Sequence, residues 1–213
     1  MRQGAFQMTD AATKPEEVIG YTIRNSRYLN VTNRCSLRCR FCPKFNSEWS
    51  IHEYNMRLRY EPTAEELIAA AGNPVDYDEI VFCGMGEATM RLDVLLEVAR
   101  VLRERGAALR LNTSGVANVV HGRDVAPELA RHIQSMSVSL NAQNEEVYNR
   151  HCYPKLLGTY ASVLEFIKSA KAAGADVTAT AVDGLADVDI AACKTIAREL
   201  GVKFRRRVLD DLG

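Results

Sequence analysis

The chain has 213 residues, and its 27 lysines and arginines balance its 27 aspartates and glutamates. This balance excludes an overall field that would attract nucleic acid or an anionic membrane. No apolar run approaches the roughly 20 residues that span a bilayer, and the N-terminus lacks the apolar core of a secretory signal. We therefore expect a cytoplasmic protein with reduced cysteines and with no nucleic-acid or membrane partner.

The predicted elements alternate along most of the chain. Residues 1–17 are polar with little periodicity, which predicts a flexible N-terminal arm ahead of a core domain at 18–213. Apolar runs predict strands at 18–23, 28–32, 79–83, 108–112, 136–140, 176–182 and 202–208. Helical periodicity and capping signals predict helices at 64–71, 91–105, 125–133, 145–150, 160–173 and 189–200.

Six of these strands lie from residue 28 onward. Each of the first five is followed by a helix-length segment, and the sixth is the last predicted element. Repeated βα units of this length predict a mostly parallel sheet that helices cover. Six strands are too few for a closed eight-stranded barrel. The sequence therefore predicts an α/β fold, an open (βα)6 partial barrel in a single domain.

Three cysteines, Cys35, Cys39 and Cys42, follow the 28–32 strand with the spacing C-x3-C-x2-C. Three thiolates can bind three irons of a [4Fe–4S] cluster, and no fourth cysteine lies nearby, so one iron is left open for another ligand. A structural zinc site would need a fourth ligand, and the nearest imidazole is that of His52. A disulfide framework would need denser cysteines and an oxidising compartment. The spacing favours the cluster and makes the three cysteines the candidate catalytic and metal-binding residues.

With Phe41 before the last cysteine, the segment becomes C-x3-C-x-aromatic-C, and it closely resembles the signature of the radical S-adenosylmethionine (SAM) superfamily. The resemblance implies that SAM chelates the open iron and that one electron splits it to give a 5′-deoxyadenosyl radical. It also implies a (βα)6 core, which agrees with the strand count, and an electron donor such as flavodoxin or ferredoxin. In such a site Phe41 is expected to lie over the adenine of SAM.

Candidate SAM contacts follow the predicted strands, because ligands of parallel α/β sheets bind at the carboxyl ends of the strands. The segment 84–87 resembles the Gly-Gly-Glu motif that binds the SAM ammonium group; a plain βα turn with a glutamate favoured by the helix dipole is the alternative. Polar residues after the next two strands occupy positions that reach SAM in relatives, although turn clusters have the same composition. The candidate cofactor-binding residues are Phe41, Gly84, Met85, Gly86, Glu87, Asn112, Ser139 and Asn141.

Softer motifs narrow the resemblance to the TatD-linked radical SAM proteins, a small family named for its association with TatD-type metal hydrolases. These motifs are at 54–62, 83–87, 110–113, 121–124 and 138–142. The resemblance extends from about residue 28 to residue 208 and implies a functional link to a TatD-type metal hydrolase. The family name does not indicate which reaction its members catalyse.

Substrate candidates come from polar residues near the predicted strand ends and from the 49–60 segment, which could close over the site or be a solvated connection. They are Tyr54, Asn55, Arg57, His121, Arg123 and Arg206. An arginine at the barrel mouth would bind a carboxylate or phosphate, whereas arginines on the last strand could also cover an exposed sheet edge.

We therefore predict a radical SAM enzyme that abstracts hydrogen from a small anionic substrate. A compact glycyl-radical activase or peptide modifier is the alternative within the enzymes. A non-catalytic iron–sulfur binding or sensing protein is the alternative of another class.

Overall fold

A computed structural model of the protein describes residues 18–46 and 49–209, so the predicted arm at 1–17 lies outside the described residues. The strands are β1 (Gly20–Ile23), β2 (Ser26–Asn30), β3 (Ser50–Ile51), β4 (Tyr54–Asn55), β5 (Glu79–Cys83), β6 (Leu109–Thr113), β7 (Ser135–Ser139), β8 (Asp176–Asp183) and β9 (Lys203–Val208). The helices are α1 (Pro43–Asn46), α2 (Ala64–Ala71), α3 (Leu92–Glu104), α4 (Ala117–His121), α5 (Ala126–Ala130), α6 (Glu145–Cys152), α7 (Thr159–Ala172) and α8 (Ile190–Glu199). Two short 3₁₀ turns cover Pro74–Asp76 and Ala88–Arg91.

The main sheet has seven strands in the order β1-β2-β5-β6-β7-β8-β9. Strand β1 pairs antiparallel with β2, and every later pairing is parallel. Six consecutive parallel strands therefore begin at β2, and the predicted α/β fold of six strands is confirmed. The order follows the chain, as expected for successive right-handed βα units.

The two faces of the sheet differ in chemistry. Alternate residues such as Leu29, Phe82 and Leu111 pack into the main apolar core beneath the helices. Their neighbours along the strands face the opposite side, because successive side chains of a strand alternate. On that side the residues are mostly polar, and we call it the inner face; its members include Tyr28, Glu79, Arg110, Asn112, Ser137, Ser139, Thr178, Thr180, Arg205 and Arg207.

Local sequence signals explain the helices that cover the sheet. Helix α2 has the predicted bounds because Thr63 and Glu66 form a reciprocal capping box at its start. Helix α3 buries Leu95, Val98 and Leu102 on one face, which is the apolar stripe that its periodicity predicted. No helix among the described residues is long and apolar enough to cross a membrane.

The structure adds four elements that the sequence did not predict. Helix α1 directly follows the last motif cysteine, and helix α4 lies within the predicted turn after β6. Strands β3 and β4 form a small antiparallel hairpin in the segment that showed no clear pattern. Strands of two residues carry too little periodicity to be recognised, and these are fixed by tertiary packing.

The hairpin packs on the inner face beside β1 and β2. Tyr54 lies against Tyr21, with ring centroids 5.3 Å apart, and Tyr21 stacks on Tyr28. Met56 and Met85 complete this second apolar cluster. Of the two predictions for the 49–60 segment, the structure therefore favours a segment that covers one side of the interior.

Candidate active site

The three motif cysteines lie on one loop after the carboxyl end of β2. The amide of Cys42 donates to the carbonyl of Cys39 over 3.2 Å, and the amide of Leu37 donates to Cys35 Sγ over 3.4 Å. Helix α1 then starts at Pro43, where the missing N–H of proline is tolerated. The loop thus turns tightly enough to keep all three thiols at one end of the sheet.

The end of α6 holds this loop from one side. The amide of Arg38 donates to the carbonyl of Cys152 and that of Arg40 to the carbonyl of His151, each over 2.9 Å. The amide of Lys155 donates in turn to the carbonyl of Ser36 over 3.0 Å. No local sequence pattern indicates this contact, because it joins segments more than 100 residues apart.

The carboxyl end of β5 holds the loop from the other side. The amide of Glu87 donates to the carbonyl of Arg34 over 2.8 Å. A Cβ added to Gly86 would lie 2.5 Å from that carbonyl oxygen and would also clash with the carbonyl of Thr32. Gly86 is therefore required for the close approach of two backbones. Gly84 has φ +125° and lies against the side chain of Asn30, so it too requires glycine.

The side chain of Glu87 is buried and joins the ends of β5 and β6. Its carboxylate accepts hydrogen bonds from Thr89 N, Thr89 Oγ1, Thr113 Oγ1, Ser114 N and Ser114 Oγ. A carboxylate has about four lone-pair sites. These donors therefore fill the carboxylate as it stands, and its contact with a SAM ammonium group remains a prediction.

The thiols of the loop are close enough to influence one another. Burial raises the pKa of Cys35 to about 12, with smaller contributions from the charges of Glu87, Cys39 and Cys42. Burial also raises the pKa of Cys42. A hydrogen bond with Cys152, followed by burial, raises the pKa of Cys39. The thiols are protonated without iron, and iron binding would displace those protons.

The residues fit an iron–sulfur cluster. Among residues 18–46 and 49–209, no three His, Cys, Asp or Glu side chains converge on one point to hold a single ion. The thiolates of a [4Fe–4S] cluster lie farther apart than the ligands of a single ion, because each thiolate binds a different iron. The hydroxyl of Tyr148 is also buried without a partner in the described part of the chain, and it lies within electrostatic range of Cys35, Cys39 and Cys152. Such a donor suits the sulfur atoms of a bound cluster.

The other cofactor candidates lie at the same end of the sheet. Asn112 accepts from Arg110 Nη1 over 2.6 Å and donates to Cys83 Sγ over 3.7 Å. Ser139 ends β7, and Asn141 follows it with φ +60° and donates to Cys152 Sγ over 3.6 Å. Phe41 packs half-buried against the main core, and Met85 lies in the second apolar cluster. The structure thus brings the predicted cofactor residues to one edge.

The substrate candidates are more dispersed. Tyr54 belongs to the second apolar cluster, Asn55 accepts from the amide of Arg57 over 3.1 Å, and the Arg57 guanidinium lies 5.7 Å from the Trp49 ring. His121 Nε2 lies 2.8 Å from the Thr89 carbonyl.

Two candidate arginines form ion pairs away from the inner face. Arg123 contacts Glu128 over 2.8 Å beside α5. Arg206 pairs with Asp183 and projects from the face of β9 opposite to Arg205 and Arg207. The two other arginines of this strand, Arg205 and Arg207, are the ones that the structure places on the inner face.

Two features of the site had no clear sequence signal. Cys152, whose role the sequence left open, is fully buried beside Cys39. Thr113 and Ser114, at the end of the neighbouring strand, donate hydrogen bonds to Glu87, whereas their sequence pattern indicated only a turn. Cys193 is buried in the main core, as the apolar face of its helix predicted.

These features define an α/β protein with a three-thiol site at the carboxyl edge of an open parallel sheet. The sequence pattern of the radical SAM superfamily matches residues 29–199, which is most of the chain. The chain therefore belongs to the radical SAM superfamily. Membership implies a [4Fe–4S] cluster and SAM as cofactors.

Known proteins share parts of this chain. A stretch of 92 residues is 32% identical to the tungsten-containing aldehyde ferredoxin oxidoreductase cofactor-modifying protein of Pyrococcus furiosus, covering 41% of this chain and 23% of that protein. Streptococcus suis SuiB bound to precursor peptide SuiA superposes with a TM-score of 0.66 at 15% identity, over 86% of this chain and 39% of SuiB. TYW1 with a lysine–pyruvate adduct gives 0.60 at 13% identity, over 86% of this chain and 64% of TYW1.

The chain spans less than two thirds of the length of each of these proteins. At such identities the superposed structures show the fold alone. These comparisons do not establish that the chain belongs to the TatD-linked subfamily.

Proposed function

We propose that the enzyme binds a [4Fe–4S] cluster through Cys35, Cys39 and Cys42 and abstracts hydrogen from a small anionic substrate. The observation that carries the proposal is the cysteine loop, which is held between the ends of β5 and α6 at the edge where ligands of parallel sheets bind. When bound, the cluster and SAM supply an electron and a 5′-deoxyadenosyl radical. The chain's own residues position both groups and exclude solvent.

Several residues have distinct parts in this proposal. The three thiols would bind three irons, and the buried hydroxyl of Tyr148 would donate to sulfur beside them. The backbone of Gly84, Met85 and Gly86, with Glu87 behind it, would bind the amino end of SAM. The remaining SAM contacts proposed are Phe41, Asn112, Ser139 and Asn141.

Support for an anionic substrate comes from the inner face. This face carries Arg110, Arg205 and Arg207, and among the described residues only Arg110 forms an ion pair, with Glu79, which also lies within electrostatic range of Arg205. The neighbours in fold do not decide the substrate class, since one was solved with a precursor peptide and another with a lysine–pyruvate adduct. A peptide modifier or glycyl-radical activase remains the second candidate, because an open sheet leaves a lateral gap.

An acidic flavodoxin or ferredoxin is the electron donor that we propose. Arg38, Arg40 and Lys155 are exposed around the cysteine loop, and Leu157 beside them is 98% exposed. The segments 35–46 and 151–158 contain no acidic residue, although the whole chain is balanced. We call this surface the basic rim. A functional link to a TatD-type metal hydrolase stays a prediction from the subfamily resemblance.

The proposed chemistry is tested by anaerobic reconstitution with iron and sulfide, followed by incubation with SAM and dithionite. We expect 5′-deoxyadenosine from the wild type. Cys42→Ala should abolish both this product and the thiolate-to-iron charge-transfer absorbance, since it removes one of three ligands. Cys193→Ala, the matched control in the core, should keep both. Equal loss in the two variants, or no product from a fully loaded wild type, would contradict the proposal.

A further inference from the structure

Three arginines on the inner face differ in how their charge is balanced. Arg110 forms a close ion pair with Glu79, with 2.6 Å between Nη2 and Oε1, and its Nη1 donates to Asn112. Hydrogen bonds with Glu79 and Tyr28 raise the pKa of Arg110 despite its burial. The guanidinium of Arg110 is therefore satisfied by the protein itself.

Arg205 and Arg207 donate hydrogen bonds only to neutral groups, although Arg205 lies within electrostatic range of Glu79. Arg205 Nη2 donates to Ser137 Oγ over 3.1 Å, and Arg207 Nη2 donates to Asn141 Oδ1 over 3.2 Å. Neither forms an ion pair within the described residues, in contrast to Lys203 and Arg206 on the same strand, which pair with Asp176 and Asp183. The Nε atom of Arg207 is buried and has no hydrogen-bond partner there.

The surroundings of Arg207 disfavour an uncompensated positive charge. Burial and the charge of Arg205 lower its pKa, whereas Cys39, Cys83 and Cys152 act in the opposite sense. The guanidinium therefore lies within electrostatic range of Cys39, Cys83 and Cys152. An anion at this point would offset both the desolvation of Arg207 and its repulsion by Arg205.

There is also space beside Arg205, the outer member of the pair. A cavity of about 120 Å³ is lined by Arg205, Arg110, Ser137 and Thr178 on the inner face. A guanidinium offers a planar fork of donors that matches a carboxylate or a phosphate. Ser137, which is largely buried, adds a hydroxyl at the same place.

We propose that Arg205 and Arg207 form an anion-binding site on the inner face that takes the carboxylate or phosphate group of the substrate. The proposal rests on the proposed function, whose anionic substrate it assigns to these two residues. Arg206, between them in sequence but on the opposite face, has no part in it. Within this site Arg207 is the residue nearer to the cysteine loop, since it lies within electrostatic range of Cys39.

Small anions test the site without knowledge of the substrate. Inorganic phosphate and malonate are titrated by calorimetry into the reconstituted, SAM-bound protein under anaerobic conditions, with malonamide as the uncharged counterpart of malonate. The variants are Arg207→Gln, Arg207→Lys, Arg205→Gln and Arg206→Gln. Cluster absorbance and thermal unfolding verify that each variant is folded and loaded.

We expect the wild type to bind at least one anion and not malonamide. Arg207→Gln should raise the Kd by about tenfold to a hundredfold, because it removes charged hydrogen bonds. Arg205→Gln should have a smaller effect in the same direction, and Arg207→Lys should restore part of the affinity by keeping the charge. Arg206→Gln should change the Kd by less than about twofold, since its ion pair is exposed.

Three results would overturn the proposal. They are the absence of binding by both anions, equal binding of malonamide, and an Arg206→Gln effect as large as that of Arg207→Gln. If Arg207→Gln is unstable, Arg207→Lys and Arg205→Gln carry the same comparison with Arg206→Gln.

Two further measurements distinguish the carboxylate of SAM from that of the substrate, and the proposed site from the proposed function. If Arg207→Gln weakens SAM but not decarboxylated SAM, the site belongs to the carboxylate of SAM, and the substrate assignment is wrong. Wild-type formation of 5′-deoxyadenosine tests the proposed function independently. Anion binding without that product would contradict the proposed function but not the proposed anion site. The product without anion binding would contradict the anion site alone.

Discussion

At the scale of single residues, the Glu87 carboxylate has two sets of proposed partners, the hydrogen-bond donors of the protein and the ammonium group of SAM. Its five donors from Thr89, Thr113 and Ser114 link the carboxyl ends of β5 and β6. The resemblance to the Gly-Gly-Glu motif assigns the same side chain to the SAM ammonium group. An added cation would stabilise the buried negative charge, so the hydroxyl donors and the ammonium can share the carboxylate if one hydroxyl turns away.

The first prediction concerns this residue. Glu87→Gln keeps the shape of the side chain and removes its charge. We expect the affinity for SAM to fall by about tenfold to a hundredfold, which corresponds to one charged hydrogen bond of roughly 1.5–3 kcal/mol. Equilibrium binding to the reconstituted protein measures the change, and the cluster absorbance should persist.

Thr89→Val is the matched control, because it removes one hydroxyl donor to Glu87 and leaves the carboxylate. Its SAM affinity should change by less than about threefold, since a neutral hydrogen bond contributes roughly 1 kcal/mol or less. Equal losses in both variants would mean that Glu87 serves only to join β5 and β6.

At the scale of elements, the cysteine loop depends on two clamps that are far apart in sequence. The end of β5 approaches the start of the loop through Gly86, and the end of α6 accepts hydrogen bonds from the middle of the loop. Helix α6 is in turn fixed by its N-cap Asn144 and by His151, whose Nε2 lies 2.7 Å from the carbonyl of Ala186. The loop is thus held by contacts within the protein itself.

The second prediction tests the β5 clamp. Gly86→Ala places a methyl group against the carbonyls of Thr32 and Arg34 and must shift the loop. We expect a loss of stability of about 1–3 kcal/mol, the usual cost of overpacking, and a lower iron content after reconstitution. Denaturant unfolding and iron analysis measure the two effects.

Gly122→Ala is the comparison for this variant, because nothing lies within 4 Å of its added Cβ. It should cost about 1–2 kcal/mol for its left-handed backbone and leave the iron content unchanged. An unchanged iron content in Gly86→Ala would show that the close backbone contact does not position the cysteines.

At the scale of the whole molecule, a chain without net charge has a strongly uneven surface at the site. The basic rim, with Arg38, Arg40 and Lys155, surrounds the cysteine loop, whereas carboxylates such as Glu145 and Glu146 lie at the far end of α6. Exposed Phe45, which the Arg38 guanidinium covers at 5.4 Å, adds apolar surface. Charge of one sign with an apolar centre favours an acidic docking partner.

The third prediction follows from the rim. The double variant Arg38→Glu with Lys155→Glu should slow reduction by an acidic flavodoxin by at least about tenfold at low salt. The difference should shrink as salt screens the charges. Stopped-flow bleaching of the cluster absorbance measures the rate.

The control for the rim has the same change in net charge at a distant surface. Lys168→Glu with Lys171→Glu alters exposed lysines on α7, which covers the outer side of the sheet. Its reduction rate should remain within about threefold of the wild type, because the partner does not approach there. Equal slowing of both double variants would mean that only the net charge matters.

The sequence determined much of the architecture because its signals are local. Periodicity and capping gave six parallel strands and the bounds of α2, and these depend on residues close in the chain. The cysteine spacing placed three thiols on one loop, and strand ends were expected to carry the ligand sites. Cys83 and Cys152 had no such pattern around them, and their roles stayed open.

Only the tertiary structure decided which side chains meet. Alternation along a strand separates Arg206 from Arg205 and Arg207, but it does not indicate which face is the interior, because that depends on how the helices cover the sheet. The hydrogen bonds from the cysteine loop to the end of α6 join residues more than 100 positions apart, so no local pattern encodes them. The same holds for the donors to Glu87 from Thr113 and Ser114, which come from the end of the neighbouring strand through the parallel register of β5 and β6.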